Sequence, residues 1–396
     1  MRHLDLVRLT LCTLALASGE VIAFEGDRYQ FFTGIGYTYD GNVFRTSKSG
    51  ITPPKKDLIR STYIGVGLNL PVSLQRFVVN ARVNQTRFRD LGDLDYNGRT
   101  LNASWLWQFG NDWSGRLGYS QSRTASDFSN LGGTTQNLRD QNRVFVDANV
   151  MLDPTHRLEM GLSQAKSENS TQANQRNDYT DSQLYFGIQY ISPVGNSYGL
   201  RLAYDDLKLP NPAQFGATSI DNSHRQAVLD FTYAWKFSGV SNIYGRFGFE
   251  EREYKEFSGR DYSGFAWSVN YDWTPNPKSA VLFNFRREID GLNDFASNYA
   301  LVHGISIRPR WIVSSKVNVA WDFGYSRLEF RGDPGILNVA DQERKDKIKN
   351  YGMSVDYAPL PSASMSLSLR RDQRSSNISG IDFEATVVSG SLDFRF

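Results

Sequence analysis

The run Gly390-Ser391-Leu392-Asp393-Phe394-Arg395-Phe396 alternates strictly between small or apolar and polar residues and finishes on an aromatic. In an extended chain successive side chains point to opposite faces. Leu392, Phe394 and Phe396 therefore share one face, and Ser391, Asp393 and Arg395 share the other. A strand with one apolar and one polar face suits a barrel wall that has lipid on one side and water on the other. If that is the architecture, the same period must recur through the whole chain.

It recurs from Phe31 onward. Ile35, Tyr37 and Tyr39 oppose Gly34, Gly36 and Thr38; Ile64, Val66, Leu68 and Leu70 oppose Tyr63, Gly65, Gly67 and Asn69; Phe77, Val79, Ala81 and Val83 oppose Val78, Asn80, Arg82 and Asn84. Later segments repeat the pattern, for example Phe265, Trp267, Val269, Tyr271 and Trp273, or Val317, Val319, Trp321, Phe323 and Tyr325. Period two over so many segments is the primary signal of strands. The spacing predicts about eighteen of them, an even number, as single-chain bacterial barrels have. Tight turns such as Pro71-Val72-Ser73, Gly110-Asn111-Asp112 and Asp153-Pro154-Thr155 alternate with longer polar connections at 41–57, 124–137, 206–222 and 331–343. Short turns belong on the periplasmic side and long loops outside, which puts both termini in the periplasm. The predicted fold is all-β: a transmembrane antiparallel up-and-down β-barrel.

Composition agrees. The chain is 13% aromatic, carries a formal net charge of +2 and has a mean hydropathy of −0.45. It lacks the long apolar runs of helical membrane proteins and the basic excess of nucleic-acid binders, so no nucleic-acid partner is expected. No linker or composition shift marks a domain boundary. At the N-terminus, Arg2 and Arg8 precede an apolar stretch from Leu9 to Ala17, and Val21-Ile22-Ala23 offers a small-residue cleavage site. Residues 1–23 read as a cleaved signal peptide and 24–396 as the barrel. Cys12, the only cysteine, falls within the signal, so no thiol chemistry, metal site or cofactor is expected of the mature chain. A soluble propeller would account for the strands but not for the signal peptide, the uniform apolar face and the final Phe together.

Parity assigns side chains to the two faces. Trp105, Trp107, Trp113, Trp235, Trp273 and Tyr190 fall beside short turns, and Tyr39, Tyr204, Tyr299 and Tyr351 near loop ends, as two interfacial girdles would require. Outward and toward the loops lie Arg60, Arg87, Arg99, Arg123, Arg225, Arg287, Arg327, Lys347, Lys349 and Arg371. Arginine pairs well with phosphate, so this rim is a candidate contact for lipopolysaccharide beside ordinary outer-membrane lipid; a solvated rim is the alternative, and Glu251, Asp261 and Glu384 share its level. His303 falls on the lipid face between Leu301 and Ile305. A slip of register accounts for it first, a bulge or a protomer contact otherwise.

The lumen-facing set holds Arg82, Arg116, Arg143, Arg157, Arg201, Lys236, Arg246, Arg252, Arg286, Arg308, Lys316 and Arg370 against Asp147, Glu159, Asp205, Asp230, Glu250, Asp272, Glu288, Asp322, Asp356 and Asp372. The basic residues could form an electrostatic path for an anionic sugar chain, or the two signs could form a structural ion-pair network. Catalysis is not expected: only His156, His224 and His303 lie outside the signal, and parity brings no Ser/His/Asp set to one level. The closing residues Leu392, Phe394 and Phe396 are the candidate signal for the barrel-assembly machinery.

Three segments carry a resemblance. Gly36-Tyr37-Thr38-Tyr39-Asp40-Gly41-Asn42-Val43-Phe44-Arg45, Asn69-Leu70-Pro71-Val72-Ser73-Leu74-Gln75-Arg76-Phe77 and the stretch from Trp105 to Tyr119 resemble the exosortase-associated, EpsL-type exopolysaccharide-biosynthesis outer-membrane proteins of the porin-2 β-barrel group. The resemblance spans most of the mature chain and is most specific in the first strands. It implies a porin-like channel for export of an exopolysaccharide, working with periplasmic polysaccharide-export components; it carries over no catalytic or ligand residue. Where a second acid would be expected after Asp40, the chain has Gly41. A general or substrate-selective diffusion porin for small solutes is the competing function. No loop has an obvious constriction signature, and 206–222, with Leu207, Leu209 and Phe215, is the best candidate for one folded inward.

Overall fold

Alternating side chains favour extended backbone, and extended strands in lipid must pair all their backbone groups, which only a closed sheet achieves. The computed structural model has that form. It describes residues 28–129, 133–215, 218–256, 258–291, 299–331 and 344–396; the expected signal peptide, with its cleavage site before Phe24, lies outside the described residues. Eighteen strands form one sheet, each antiparallel to its neighbours in the chain. The first strand, Tyr29–Asp40, pairs with the last, Phe383–Arg395, from Phe32 opposite Arg395 to Asp40 opposite Val387, so the ring closes. Two further short strands, Ala213–Phe215 and Thr218–Ile220, form a hairpin within one loop.

Connections alternate in length as the sequence predicts. Tight turns at 73–74, 110–112, 239–240 and 361–362 occupy one end, and the other end carries 41–56, 89–95, 126–137 and 209–223. Ser73 and Gly110 sit in these turns with φ of 55° and 61°, and Gly195 in the further short turn 192–196 with φ of 79°.

The outer face remains apolar and exposed: Ile64, Phe265, Leu367 and Leu369 are each more than half accessible. A soluble protein would not leave so broad an apolar band in water. The band matches a lipid-facing belt, with Trp113, Trp235 and Trp273 beside short turns and Tyr39, Tyr204 and Tyr351 toward the loops.

One sector departs from simple alternation. The strands Tyr262–Asn276 and Ser279–Gly291 stay paired up to Trp267 opposite Arg287 and separate beyond it. Above the split, Ile289, Leu301 and Tyr299, all of outward parity, pack on Tyr254 and Tyr262, which have lumen parity. The Tyr262 and Tyr299 rings meet edge to face at 5.4 Å. The hairpin of Ser279–Gly291 and Tyr299–Ser314 thus leans inside its neighbours. Leu301 is only 3% exposed, so it does not face lipid, and Tyr299 is not a girdle residue. His303 needs no slip of register. It sits between Arg287 and Arg327 in an unbroken ladder, at the level where the wall divides.

Candidate functional site: lumen and mouth

The lumen wall is asymmetric. On the arc from Asp57–Val72 to Ser197–Lys208, arginines lie on aromatic rings. Arg82 is 3.7 Å from the Tyr63 ring centre, Arg201 is 4.0 Å from that of Tyr185, and Arg116 and Arg143 flank Phe145 at 4.6 and 5.3 Å. Tyr63 donates its hydroxyl to Asp393, and Tyr185 donates to Asp147 at 3.0 Å. Arg116 also pairs with Asp147 at 3.2 Å, Arg143 reaches Ser163 at 3.4 Å, and Arg157 binds Glu159 and Gln189.

On the opposite arc carboxylates predominate, although near the mouth Arg344 and Arg374 lie on the Phe330 and Phe383 rings at 4.0 and 4.8 Å. Arg246 bridges Asp230 at 3.0 Å and Glu250 at 3.1 Å, in a cluster whose two acids are nearly inaccessible. Arg286 pairs with Glu288, Arg308 with Asp322 and Arg370 with Asp372, at 3.0 to 3.1 Å. Arg252 is buried and donates twice to Gln226, at 2.7 and 3.0 Å. Lys236 and Lys316 do not belong to the mid-wall: Lys316 lies in the tight turn 315–316, and Lys236 is exposed beside the turn 239–240.

Parity therefore found the arginines but not the rings that hold them. Tyr63, Phe145 and Tyr185 stand at lumen parity, where polar residues are the rule; an aromatic on the wet face was the available signal.

The mouth is built by loops. Arg45 turns back onto Asp40 at 2.9 Å, and Asn42 donates to the carbonyls of Thr46 at 2.8 Å and Glu384 at 3.1 Å. Gly41 donates its N–H to the Thr386 carbonyl at 2.9 Å, and a Cβ there would come within 3.3 Å of the same oxygen. Any side chain in place of Gly41 would need that carbonyl to give by a few tenths of an ångström. Loop 41–56 thereby presents Val43 and Phe44 to Leu94, Leu91, Phe88 and Phe128, an apolar shelf on the lumen side. Phe44 and Phe128 meet edge to face at 5.0 Å.

From there the loop after Trp113–Ala125 reaches Arg374, which donates to the Ser129 carbonyl. Five strands lie between the two along the wall: Tyr96–Phe109, Gln75–Phe88, Asp57–Val72, Tyr29–Asp40 and Phe383–Arg395. Among the described residues, loops 41–56 and 126–129 therefore reach across the mouth. The candidate loop for folding inward, 206–222, is tied to neighbouring loops: Asn211 donates to Gln175 at 2.9 Å, Lys255 to Asp221 at 2.7 Å and Arg260 to Asn222 at 2.7 Å. The Phe215 side chain lies outside the described residues.

Several rim arginines pair with carboxylates: Arg87 with Asp95 at 3.5 Å, Arg99 and Arg123 with Asp140 at 3.6 and 3.5 Å, Arg225 with Asp206 at 3.8 Å. Arg327 pairs with Glu329 at 3.0 Å and Arg371 with Glu384 at 3.1 Å. Leu392, Phe394 and Phe396 point outward, and Phe396 exchanges backbone hydrogen bonds with Phe31 at 2.8 and 3.0 Å.

Among solved structures, the chain is similar to a BenF-like porin from Pseudomonas fluorescens Pf-5, with a TM-score of 0.53 and 10% identity over 93% of this chain and 99% of that one. It is similar to vanillate-bound OpdK from Pseudomonas aeruginosa (TM-score 0.52, 9% identity) and to OccAB3 from Acinetobacter baumannii (0.51, 12%), each over 93% of this chain and 99% of the other. At such identities the likeness establishes the fold. No curated protein matches the chain. Residues 237–396 match the family described as "Putative beta-barrel porin 2", and the chain is a porin-like β-barrel of the bacterial outer membrane.

Proposed function

We propose that the protein is a passive channel whose lumen passes anionic carbohydrate, with an exported exopolysaccharide as the polymeric case. The observation that carries this reading is the arginine-on-aromatic arc of Arg82, Arg143 and Arg201. A guanidinium held on a ring is positioned without a direct ion pair, and the carboxylates nearby, Asp393 and Asp147, are engaged by the Tyr63 and Tyr185 hydroxyls. Its edge offers N–H donors to a carboxylate or phosphate, and the flat ring offers apolar surface to the C–H face of a sugar. The facing arc, neutralised by its own acids, supplies hydrogen bonds without strong attraction, which lets a ligand leave as well as enter.

Export is favoured by the resemblance of residues 36–45 to exopolysaccharide-biosynthesis barrels. The structure gives those residues a local purpose, since Asp40, Asn42 and Arg45 hold the mouth shelf. That shelf narrows the entrance and favours a second reading, a substrate-selective porin for small anionic solutes. A barrel of the same fold, OpdK, was solved with vanillate, an aromatic carboxylate that would suit the same arc.

The test has two parts. In planar bilayers, reversal potentials should show anion preference, and the triple variant R82Q/R143Q/R201Q should shift it toward cations and weaken block by an acidic oligosaccharide. In cells, deletion should reduce secreted polysaccharide. Normal secretion with reduced uptake of small anionic antibiotics would transfer the function to the second reading, and an unshifted reversal potential would remove the role of the arc.

A further inference from the structure

The outer face carries a cationic patch that conduction does not use. On the strand Lys345–Leu360, Lys345, Lys347 and Lys349 alternate with Asp346, Ile348 and Asn350, so the three lysines point away from the lumen. Register sets Lys347 opposite Arg327, Arg327 opposite His303, and His303 opposite Arg287, forming one row across four strands. Directly below comes an exposed aromatic level. Lys349 is opposite Tyr325, and Tyr351 is opposite Phe323 and Arg371. The cations therefore sit where the apolar band ends.

Charge balance separates this patch from the rest of the rim. Elsewhere on the rim Arg87, Arg99, Arg123 and Arg225 each face a carboxylate, with Asp140 shared by Arg99 and Arg123, and the unpaired cations are not gathered into one row as they are here. Here Glu329 is shared by Arg327 and Arg331, each at 3.0 Å, and Glu384 by Arg371 and Lys48 at 3.1 and 3.4 Å. Among the described residues, Arg287, Lys347 and Lys349 have no ion-pair partner. Among these described residues positive charge is left in surplus.

We infer that this patch binds the phosphate groups of a phosphorylated glycolipid of the outer leaflet, the lipid A part of lipopolysaccharide. Two features on the wall select that ligand. The surplus cations come from adjacent strands and can converge on one phosphate, long basic side chains being able to reach along an interface while their stems stay on apolar surface. The column of Tyr325, Phe323, Tyr351 and Met353 beneath is exposed and continuous with the lipid belt, so acyl chains can cover it while the phosphate meets the lysines. The site stands whatever the lumen conducts.

The full chain, refolded in detergent, can be tested for bound lipid by native mass spectrometry. Probes are bisphosphorylated lipid A, its dephosphorylated form, phosphatidylglycerol and inorganic phosphate. The variant K347Q/K349Q alters exposed side chains, and R99Q/R123Q, whose arginines are both ion-paired with Asp140, serves as the control; K349Q alone is the milder substitute, and heat-dependent mobility on gels reports folding. Lipid A binding should fall about tenfold or more in K347Q/K349Q and stay within about twofold in R99Q/R123Q, each basic group near an anionic surface counting roughly alike. Dephosphorylated lipid A should bind weakly to the native chain. Unchanged lipid A binding in K347Q/K349Q would overturn the proposal, as would equal binding of dephosphorylated lipid A or equal competition by phosphatidylglycerol or inorganic phosphate.

Discussion

Asp40 and Arg45 form an ion pair at 2.9 Å with only 5% of each side chain exposed. Burial works against the Arg45 charge, yet Asp40 beside it, and Asp127 and Asp372 farther off, hold its pKa above the ordinary arginine value. The pair is thus a permanent clamp on loop 41–56. Breaking a buried pair by removing one partner leaves an uncompensated charge, at a cost of about 3–5 kcal/mol. Arg45→Ala should release the loop without unfolding the barrel, whose strands are paired around the full ring. Single-channel conductance should rise and trypsin should cut faster at Lys48, Lys55 or Lys56, whereas D40N/R45M, which removes both charges, should be affected less. Native conductance and cleavage in R45A would show that the clamp does not control the mouth.

Gly34 stands between Tyr63 and Asp393, directly opposite both in the ladder. A Cβ at this position would lie 2.6 Å from the Tyr63 ring and 2.7 Å from the Asp393 carboxylate. Gly34→Ala must push apart the hydrogen bond that ties the second strand to the last across the first. We expect a loss of about 1–3 kcal/mol, the usual cost of overpacking, read as a lower denaturant midpoint. Shortening the ring in G34A/Y63L should recover part of it. A double variant no better than the sum of its singles would mean that Tyr63 is not what Gly34 accommodates.

The alternation made the barrel legible, even to the closing pair Ile35 and Leu392, which face each other in the register. What alternation records is that a face is apolar, not what covers it. Leu301 and Ile305 share parity and chemistry, yet one packs on Tyr262's neighbourhood inside the mouth and the other faces outward. The difference arises where pairing between two strands stops, and nothing in a period of two announces that. The mouth was hidden for another reason. Arg374 and Ser129 are 245 positions apart, and their meeting depends on the circumference of a ring that must close before the loops can find each other. The lumen arginines followed from parity, but their division into ring-stacked and carboxylate-paired arcs required knowing which strands are neighbours across several turns.

The division at Leu301 can be checked by labelling. Cys12 is the only cysteine and lies in the expected signal peptide, so single cysteines can be placed on a silent background. Ile305→Cys should react with a membrane-partitioning maleimide, because Ile305 is exposed on the outer face. Leu301→Cys should resist both that reagent and a water-soluble one. Comparable lipid-phase labelling at both positions would restore Leu301 to the lipid face and remove the inward lean of the hairpin.

The loop 209–223 offers a pH test. Partial burial opposes the Asp221 charge, but hydrogen bonds from Lys255 and Ser223 hold its pKa below the ordinary carboxylate value. The bond to Asp221 raises the pKa of Lys255, whose side chain is exposed. A lowered carboxylate pKa contributes stability above the unfolded value that is lost as pH falls through the folded one; a raised lysine pKa contributes below the unfolded value and is lost as pH rises through the folded one. Both contributions are complete between roughly pH 5 and pH 9. A spin label at Pro210→Cys, on the exposed part of the loop, should therefore be most immobile across that window and gain mobility at either extreme. Lys255→Met should be more mobile throughout the window and should converge with the native loop only once pH has risen through the raised pKa of Lys255, where position 255 is uncharged in both. Added salt should narrow the gap, since the contact is open to solvent. A label equally mobile with and without Lys255 near neutrality would show that the ion pair does not hold the loop, leaving Asn211 and Arg260 as its anchors.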